Sequence, residues 1–307
     1  MKISVVMATY NGARFIVEQL DSIRLQTRKP DELLIRDDCS TDNTMEIVTN
    51  YIDTYKLGPQ WHIVCNPVNL GFEDNFARGA EQATGDIIFF ADQDDIWQPR
   101  KLQQMTDLLE QHPQWNLLSC DYSSFFDSDP NKPVKKARPA PNDGSISLLR
   151  LNTRDFYLGS LGCCMAVRSR FLRQITPYQL SGWAHDDRLW KLGICSGQSY
   201  LLHSNLVCHR LHGNNAATGT NYHGKAKRSR HFYNQSRYAD IVLNYLTAMG
   251  APERDQRFIR HFGQMMALRA QLISQRKWQN AWLCIKYLPY FEKKKSWLVD
   301  LYAALQG

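Results

Sequence analysis

Across 307 residues no two cysteines form a C-x-x-C pair and no apolar run approaches the roughly 18 residues of a membrane span. Neither G-x-G-x-x-G nor G-x-x-x-x-G-K-[ST] occurs. Each absence removes a class. The eight cysteines, Cys39, Cys65, Cys120, Cys163, Cys164, Cys195, Cys208 and Cys284, are scattered, which fits reduced thiols better than a disulfide framework or a zinc site. Without the glycine fingerprints, a dinucleotide oxidoreductase and a P-loop NTPase are both disfavoured. The opening MKISVVMATYNG holds an apolar stretch too short for a signal peptide. The expectation is a protein made and kept in the cytoplasm.

What is present is unevenly charged. The net charge is +7, yet residues 1–205 carry 21 basic against 25 acidic residues, and residues 206–307 carry 16 against 5. A mildly acidic first part and a strongly basic tail suggest two jobs. In the first part short apolar, β-branched runs alternate with amphipathic ones. ISVVMATY (3–10), ELLIRDD (32–38), Trp61–Cys65 and GDIIFFAD (85–92) read as strands. Residues 13–26, 43–56 and 73–82 read as helices between them, and 99–111 as a fourth. Strand–helix alternation with short links predicts a parallel α/β sheet. A strand is expected over 115–123, then a surface loop over 127–144 with four prolines and four basic residues. From about residue 230 the pattern is helical, broken at Gly250–Pro252.

Ligands of open parallel sheets bind beyond the carboxyl ends of the strands. There the chain places Thr9-Tyr10-Asn11-Gly12, Asp37-Asp38-Cys39-Ser40 and Asp92-Gln93-Asp94-Asp95. Any one cluster could serve as turns and caps; three at one edge point to a ligand site. The carboxylates of FFADQDDIW (89–97) repel one another unless something positive sits among them. Clustered hard oxygens suit Mg²⁺ or Mn²⁺, which often bridge to phosphates.

VVMATYNG, LLIRDDCSTDNT, NLGFEDNFARG (69–79) and FFADQDDIW resemble, in order and spacing, the inverting glycosyltransferases of family 2, among them bacterial rhamnosyltransferases and O-antigen and capsule glycosyltransferases. The match covers about residues 1–215. It implies a GT-A fold, Rossmann-like and mainly parallel with flanking helices, over residues 1–222, with a nucleotide-sugar half to about 97 and an acceptor half beyond. A basic, aromatic-rich helical region would follow over 223–307. It further implies that Thr9, Tyr10, Asn11, Asp38, Asn75 and Asp92 surround the nucleotide. Asp92 and Asp94 match the family's D-x-D motif and would hold Mn²⁺ or Mg²⁺. Asp95 either joins them or caps the helix near Pro99. GWAHDDRLWKLG (182–193) resembles the segment carrying the catalytic base, which falls on Asp186, with Asp187 as runner-up; either could otherwise cap a helix over 187–192. Gly162 of GSLGCCMAVRSRFL, Trp183 and His185 would lie on the acceptor side. CHRLHGNNAATG (208–219) resembles a Y-R-x-H-G-x-N segment of rhamnosyltransferase relatives, with His209 replacing the tyrosine. There Arg210 and His212 would close over the diphosphate and His212 would complete the cation's shell.

In the tail, Trp278, Trp282, Tyr287, Tyr290, Phe291 and Trp297 alternate with Lys277, Lys286 and Lys293–Lys295. That pattern suits a bilayer interface with anionic lipids, a packed helical pair with a solvated basic face, or nucleic acid. The resemblance favours the membrane over nucleic acid. The expectation is therefore an enzyme at the inner leaflet, using a dTDP- or UDP-sugar, with dTDP-L-rhamnose or a UDP-hexose as donor and a lipid-linked bacterial surface oligosaccharide as acceptor. The rivals are a nucleotidyltransferase and a catalytically silent carbohydrate-binding protein.

Overall fold

A computed structural model describes residues 1–132, 134, 141–213, 215 and 224–305. Two compact units emerge, Met1–Leu149 with Ser160–His212, and Arg150–Gly159 with Gly213–Gly307. The sequence-based boundary at 222/223 lies outside the described residues, as do residues 133 and 135–140 of the proline-rich loop.

The first unit begins with β1 (Ile3–Thr9), α1 (Ile16–Arg24), β2 (Glu32–Asp37), α2 (Thr44–Thr54), β3 (Trp61–Cys65), α3 (Phe72–Gln82) and β4 (Ile87–Asp92). β1 and β4 are continuous apolar runs because helices cover the sheet. α1 buries Ile16, Leu20 and Ile23, spaced at helical intervals. Each such fully buried aliphatic side chain contributes about 1.5–3 kcal/mol of transfer free energy.

Next come β5 (Ile96–Trp97), α4 (Lys101–Gln111), β6 (Leu117–Phe126), β7 (Ile146–Leu148), then α5 (Thr153–Leu158), which belongs to the second unit. β8 (Met165–Arg168), α6 (Ser169–Ile175), α7 (His185–Cys195) and β9 (Ser199–Leu211) complete the first unit. The nine strands form one sheet in the order β3-β2-β1-β4-β8-β6-β9-β5, with β7 also on β9. The first four strands are parallel, as expected. The remainder is mixed: β8 runs antiparallel between β4 and β6, and β5 and β7 run antiparallel to β9. β5 matters most for the site, because Ile96 pairs with Cys208 and ties the end of the acidic motif to β9.

In the second unit α8 (Lys225–Ala248) and α9 (Glu253–Gln275) pack antiparallel, followed by α10 (Gln279–Ile285) and α11 (Ser296–Leu305). The tail therefore breaks more often than its periodicity suggests. α9 ends where Arg276 turns left-handed at φ 52°. Asp300, fully buried, accepts from Arg228 and Arg269, and Arg269 lies over the rings of Phe232 and Phe291. Part of the basic, aromatic composition thus serves packing.

Candidate active site

Register sets the site. Thr9 lies beside Asp37, and Ala8 beside both Arg36 and Asp92, so three polar segments leave the sheet at one edge. The turn after β1 is pinned from two sides. Gln93 Oε1 accepts from the Tyr10 N–H at 2.9 Å and Gln93 Nε2 donates to the Tyr10 carbonyl at 3.0 Å. The N–H groups of Asn11 and Gly12 donate to Ser40 Oγ and Thr44 Oγ1, each at 2.8 Å. A β-carbon at Gly12 would overlap the Gln93 amide. The Tyr10 ring is left 48% exposed.

The other residues expected around a nucleotide differ in what they face. Asp38 is buried: Oδ1 accepts from Asn66 Nδ2 and the Leu70 N–H, and Oδ2 from the Gly71 N–H, all at 2.8 Å. These occupy three of its roughly four acceptor positions. Asn75 is 1% exposed, accepting from Asn66 and donating to the Arg36 carbonyl. The buried Thr9 hydroxyl donates to Asp37. Tyr10 and Asn11 thus reach the surface, while Thr9, Asp38 and Asn75 sit in the hydrogen-bonded frame.

Beyond β4 the carboxylates crowd. Oxygens of Asp92 and Asp95 and Sγ of Cys163 lie within 4.8 Å of one another. Burial, with the charges of Asp95, Asp94 and Asp186, pushes the Asp92 carboxyl well above its ordinary value. Burial and then Asp94 raise Asp95 to about 7. Asp95 is fully buried; Oδ1 accepts from the Arg210 N–H at 3.1 Å and Oδ2 has no hydrogen-bond partner among the described residues. The helix-cap alternative for Asp95 is corrected: Arg100 precedes α4 and no side chain caps it. Asp94 Oδ2 meets His212 Nε2 at 2.7 Å.

β9 brings Arg210 to the same loop. Its Nε donates to the Asp94 carbonyl at 2.9 Å, Nη1 to Asp127 at 2.9 Å and Nη2 to Glu18 at 2.6 Å. Phe15 and Phe125 flank the guanidinium. Arg210 therefore holds the acidic loop in place. Of the segment expected around it, Asn214 and residues 216–219 lie outside the described residues.

Sequence reasoning missed Lys101. The side chain is fully buried, donates to the Cys163 carbonyl, and places its ammonium 3.2 Å from the Trp97 ring centroid. Burial lowers its pKa, opposed by nearby thiols and Asp95. The signal was available, because Lys101 shares a buried helical stripe with Met105 and Leu109. Lys101 thus brings a basic group of the protein's own into the surroundings of Asp95.

α7 starts at His185, two residues earlier than expected, so Asp186 and Asp187 both lie in its first turn. Helix dipoles favour acidic groups there. Asp187 Oδ2 accepts from Trp183 Nε1 at 2.8 Å and Lys191 Nζ at 2.7 Å. Asp186 Oδ1 accepts from the Asp187 N–H, and burial, then Asp187, raise its carboxyl to about 6. His185 is buried against Phe76 and Phe90, with ring centroids 4.1 and 4.9 Å away, and neither ring nitrogen has a partner among the described residues. Burial and then Arg188 lower its pKa to about 3, which keeps it neutral. A β-carbon at Gly162 would collide with that imidazole. Gly162 and His185 thus pack on each other, and Trp183 is buried.

The profile of glycosyl transferase family 2 matches residues 4–175. An uncharacterized glycosyltransferase of Nostoc sp. is 28% identical over 226 residues, covering 70% of this chain and 66% of that protein. The poly(ribitol-phosphate) β-N-acetylglucosaminyltransferase TarS of Staphylococcus aureus is 32% identical over 114 residues, covering 36% and 19%. The chain spans less than two thirds of the length of these curated relatives. In three dimensions, TarS residues 1–349 in complex with UDP-GlcNAc align with TM-score 0.67 at 17% identity, covering 99% of this chain and 89% of the other. The mannosyltransferase PcManGT of Pyrobaculum calidifontis, in complex with GDP-Man and Mn²⁺, aligns with TM-score 0.55 at 19% identity, covering 99% and 85%. At these identities the likeness is one of fold. With more than half of its residues under the family profile, the chain belongs to glycosyl transferase family 2 and adopts the GT-A fold.

Proposed function

We propose that the protein transfers a sugar from a nucleoside diphosphate donor to a carbohydrate hydroxyl, inverting the anomeric carbon, with Asp186 as base. The observation that carries this reading is the contrast within one helical turn. The Asp187 carboxylate is committed to Lys191 and Trp183, whereas Asp186 has no ion pair among the described residues and its carboxyl sits at about 6. A base near the working pH takes a proton efficiently. Asp186 accepts the acceptor's hydroxyl proton as that oxygen bonds to the anomeric carbon and the bond to the diphosphate oxygen breaks.

Asp94, Asp92 and His212 would hold Mn²⁺ or Mg²⁺. Carboxylate oxygens with one imidazole suit such a cation. The orphaned Asp95 Oδ2 and the raised Asp92 and Asp95 carboxyls fit a site short of positive charge. When bound, the cation neutralises charge developing on the leaving diphosphate. His212 and Arg210 border the diphosphate. The exposed Tyr10 ring stacks on the base, and the remaining acceptor position of Asp38 takes the imide N–H of uracil or thymine. That selects a UDP- or dTDP-sugar, with a UDP-hexose or dTDP-L-rhamnose as donor.

The acceptor in this reading is a growing, lipid-linked bacterial surface oligosaccharide. No helix among the described residues is long and apolar enough to cross a membrane. α10 and α11, however, expose Trp282 (76%), Leu283, Leu298, Val299, Tyr302 and Leu305 beside Lys286 and Lys293–Lys295. Apolar faces bordered by lysine suit an anionic bilayer surface.

The test is release of nucleoside diphosphate from a panel of UDP- and dTDP-sugars with a saccharide acceptor and Mn²⁺. Turnover with one donor, lost in Asp186→Asn, supports the proposal. Nucleotide binding without turnover of any donor favours a silent binding protein.

A further inference from the structure

Cys39 follows β2 with φ 64°, a left-handed backbone that glycine enters freely and a residue with a β-carbon does not. Its thiol donates to the Asn66 carbonyl at 3.1 Å, and Cys65, the last residue of β3, donates to the same oxygen at 3.4 Å. The two sulfurs thus converge on one carbonyl oxygen. Cys65 is exposed and Cys39 half-buried, whereas Cys120, Cys163 and Cys164 are enclosed in the core. The pair flanks the pocket frame, since Cys39 follows Asp38 and the Asn66 side chain donates to Asp38 Oδ1.

We propose that Cys39 and Cys65 are a thiol modification site, forming a reversible disulfide by exchange with a small-molecule disulfide, and that this bond closes the nucleotide pocket. The Cys65 thiolate attacks the small disulfide, forming a mixed disulfide and releasing one thiolate. The Cys39 thiolate then attacks the Cys65 sulfur and releases the second. Two protein thiols are oxidised, the small disulfide is reduced to two thiols, and the two protein protons pass to those products. Burial, then the Cys65 thiol and the charges of Asp38 and Asp37, hold the Cys39 thiol above its ordinary value, so the first attack falls to the exposed Cys65.

Bonded sulfurs stand only about 2.05 Å apart. Closing to that distance draws the turn after β2 towards the end of β3 and removes both S–H donors from the Asn66 carbonyl. Asp38, tied to Asn66, Leu70 and Gly71, moves with it. The effect on binding rests on the nucleotide site proposed above; formation of the bond does not.

The test treats the full chain with glutathione disulfide, maps unreduced peptides by mass spectrometry, and measures UDP and dTDP affinity with Mn²⁺. The expected result is a peptide linked through Cys39 and Cys65, with affinity about tenfold weaker, both reversed by dithiothreitol. Cys39→Gly, which suits the left-handed backbone, is expected to form no link and to change affinity less than about twofold under the same oxidant. Absence of the linked peptide, or a linked protein with unchanged affinity, overturns the proposal. If the reduced protein binds neither nucleotide, the glycosyltransferase reading fails, while the peptide map still decides the disulfide.

Discussion

Asp187 lies one helical turn from Lys191, and their side chains meet at 2.7 Å. The Lys191 side chain is only 6% exposed, so this pair fastens α7 from within. The two adjacent aspartates should therefore fail in different ways. Asp186→Asn is expected to lower turnover by about 10²–10⁴-fold while nucleotide affinity stays unchanged. Asp187→Asn leaves Lys191 without its carboxylate and is expected to cost about 1–3 kcal/mol of stability. Urea denaturation alongside single-turnover kinetics separates the two.

Acidity should act through Asp186. With its carboxyl at about 6, turnover is expected to fall about tenfold per pH unit below 6 and to level off above about 7. Stability runs the other way. The folded carboxyl is raised above the ordinary value of about 3.9, so the folded state holds the proton more tightly. The stability this contributes is complete below about pH 4 and is lost as pH rises through about 6. Asp186→Asn should therefore be more stable than the parent at pH 8, by about 3 kcal/mol. Parallel pH–rate and pH–stability profiles check both signs.

Lys101 should matter without touching substrate. Replacing it by methionine removes the buried cation beside Asp95 and is expected to destabilise by about 3–5 kcal/mol. Adding Asp95→Asn should recover part of that loss, because the carboxylate left behind is then neutral. Denaturation of both single variants and the double variant measures the coupling. Simple additivity would mean that Lys101 acts through packing on Trp97 alone.

The exposed face of α10 and α11 should read lipid charge. The protein is expected to sediment with phosphatidylglycerol vesicles but not phosphatidylcholine vesicles, and Trp282→Glu with Leu298→Glu should abolish sedimentation. Unchanged sedimentation of the double variant would assign binding to another surface.

The first half of the sheet was legible because its strands are short apolar runs separated by helical periodicity. The polar residues at their ends identified the edge that carries the site. β9 was not legible. His203, Ser204 and Asn205 interrupt its alternation, and its pairing depends on the distant β6 and the two-residue β5. Arg210 and His212 were singled out by resemblance, but only β9 explains why they reach Asp94 and Asp95. The frame around Asp38 was equally hidden, since Asn66, Leu70 and Gly71 converge on it from another segment. Burial of His185 between Phe76 and Phe90 likewise depends on contacts about a hundred residues away in sequence.

The most direct test of the central claim is the melting temperature against UDP, dTDP and GDP, with and without Mn²⁺, for the parent and Asp94→Ala. Ligand at about 100 times its dissociation constant adds roughly 2.7 kcal/mol of stability. The account predicts a rise with UDP or dTDP that requires Mn²⁺ and disappears in Asp94→Ala. No rise with either pyrimidine nucleotide, or an equal rise without the cation and in the variant, would contradict it.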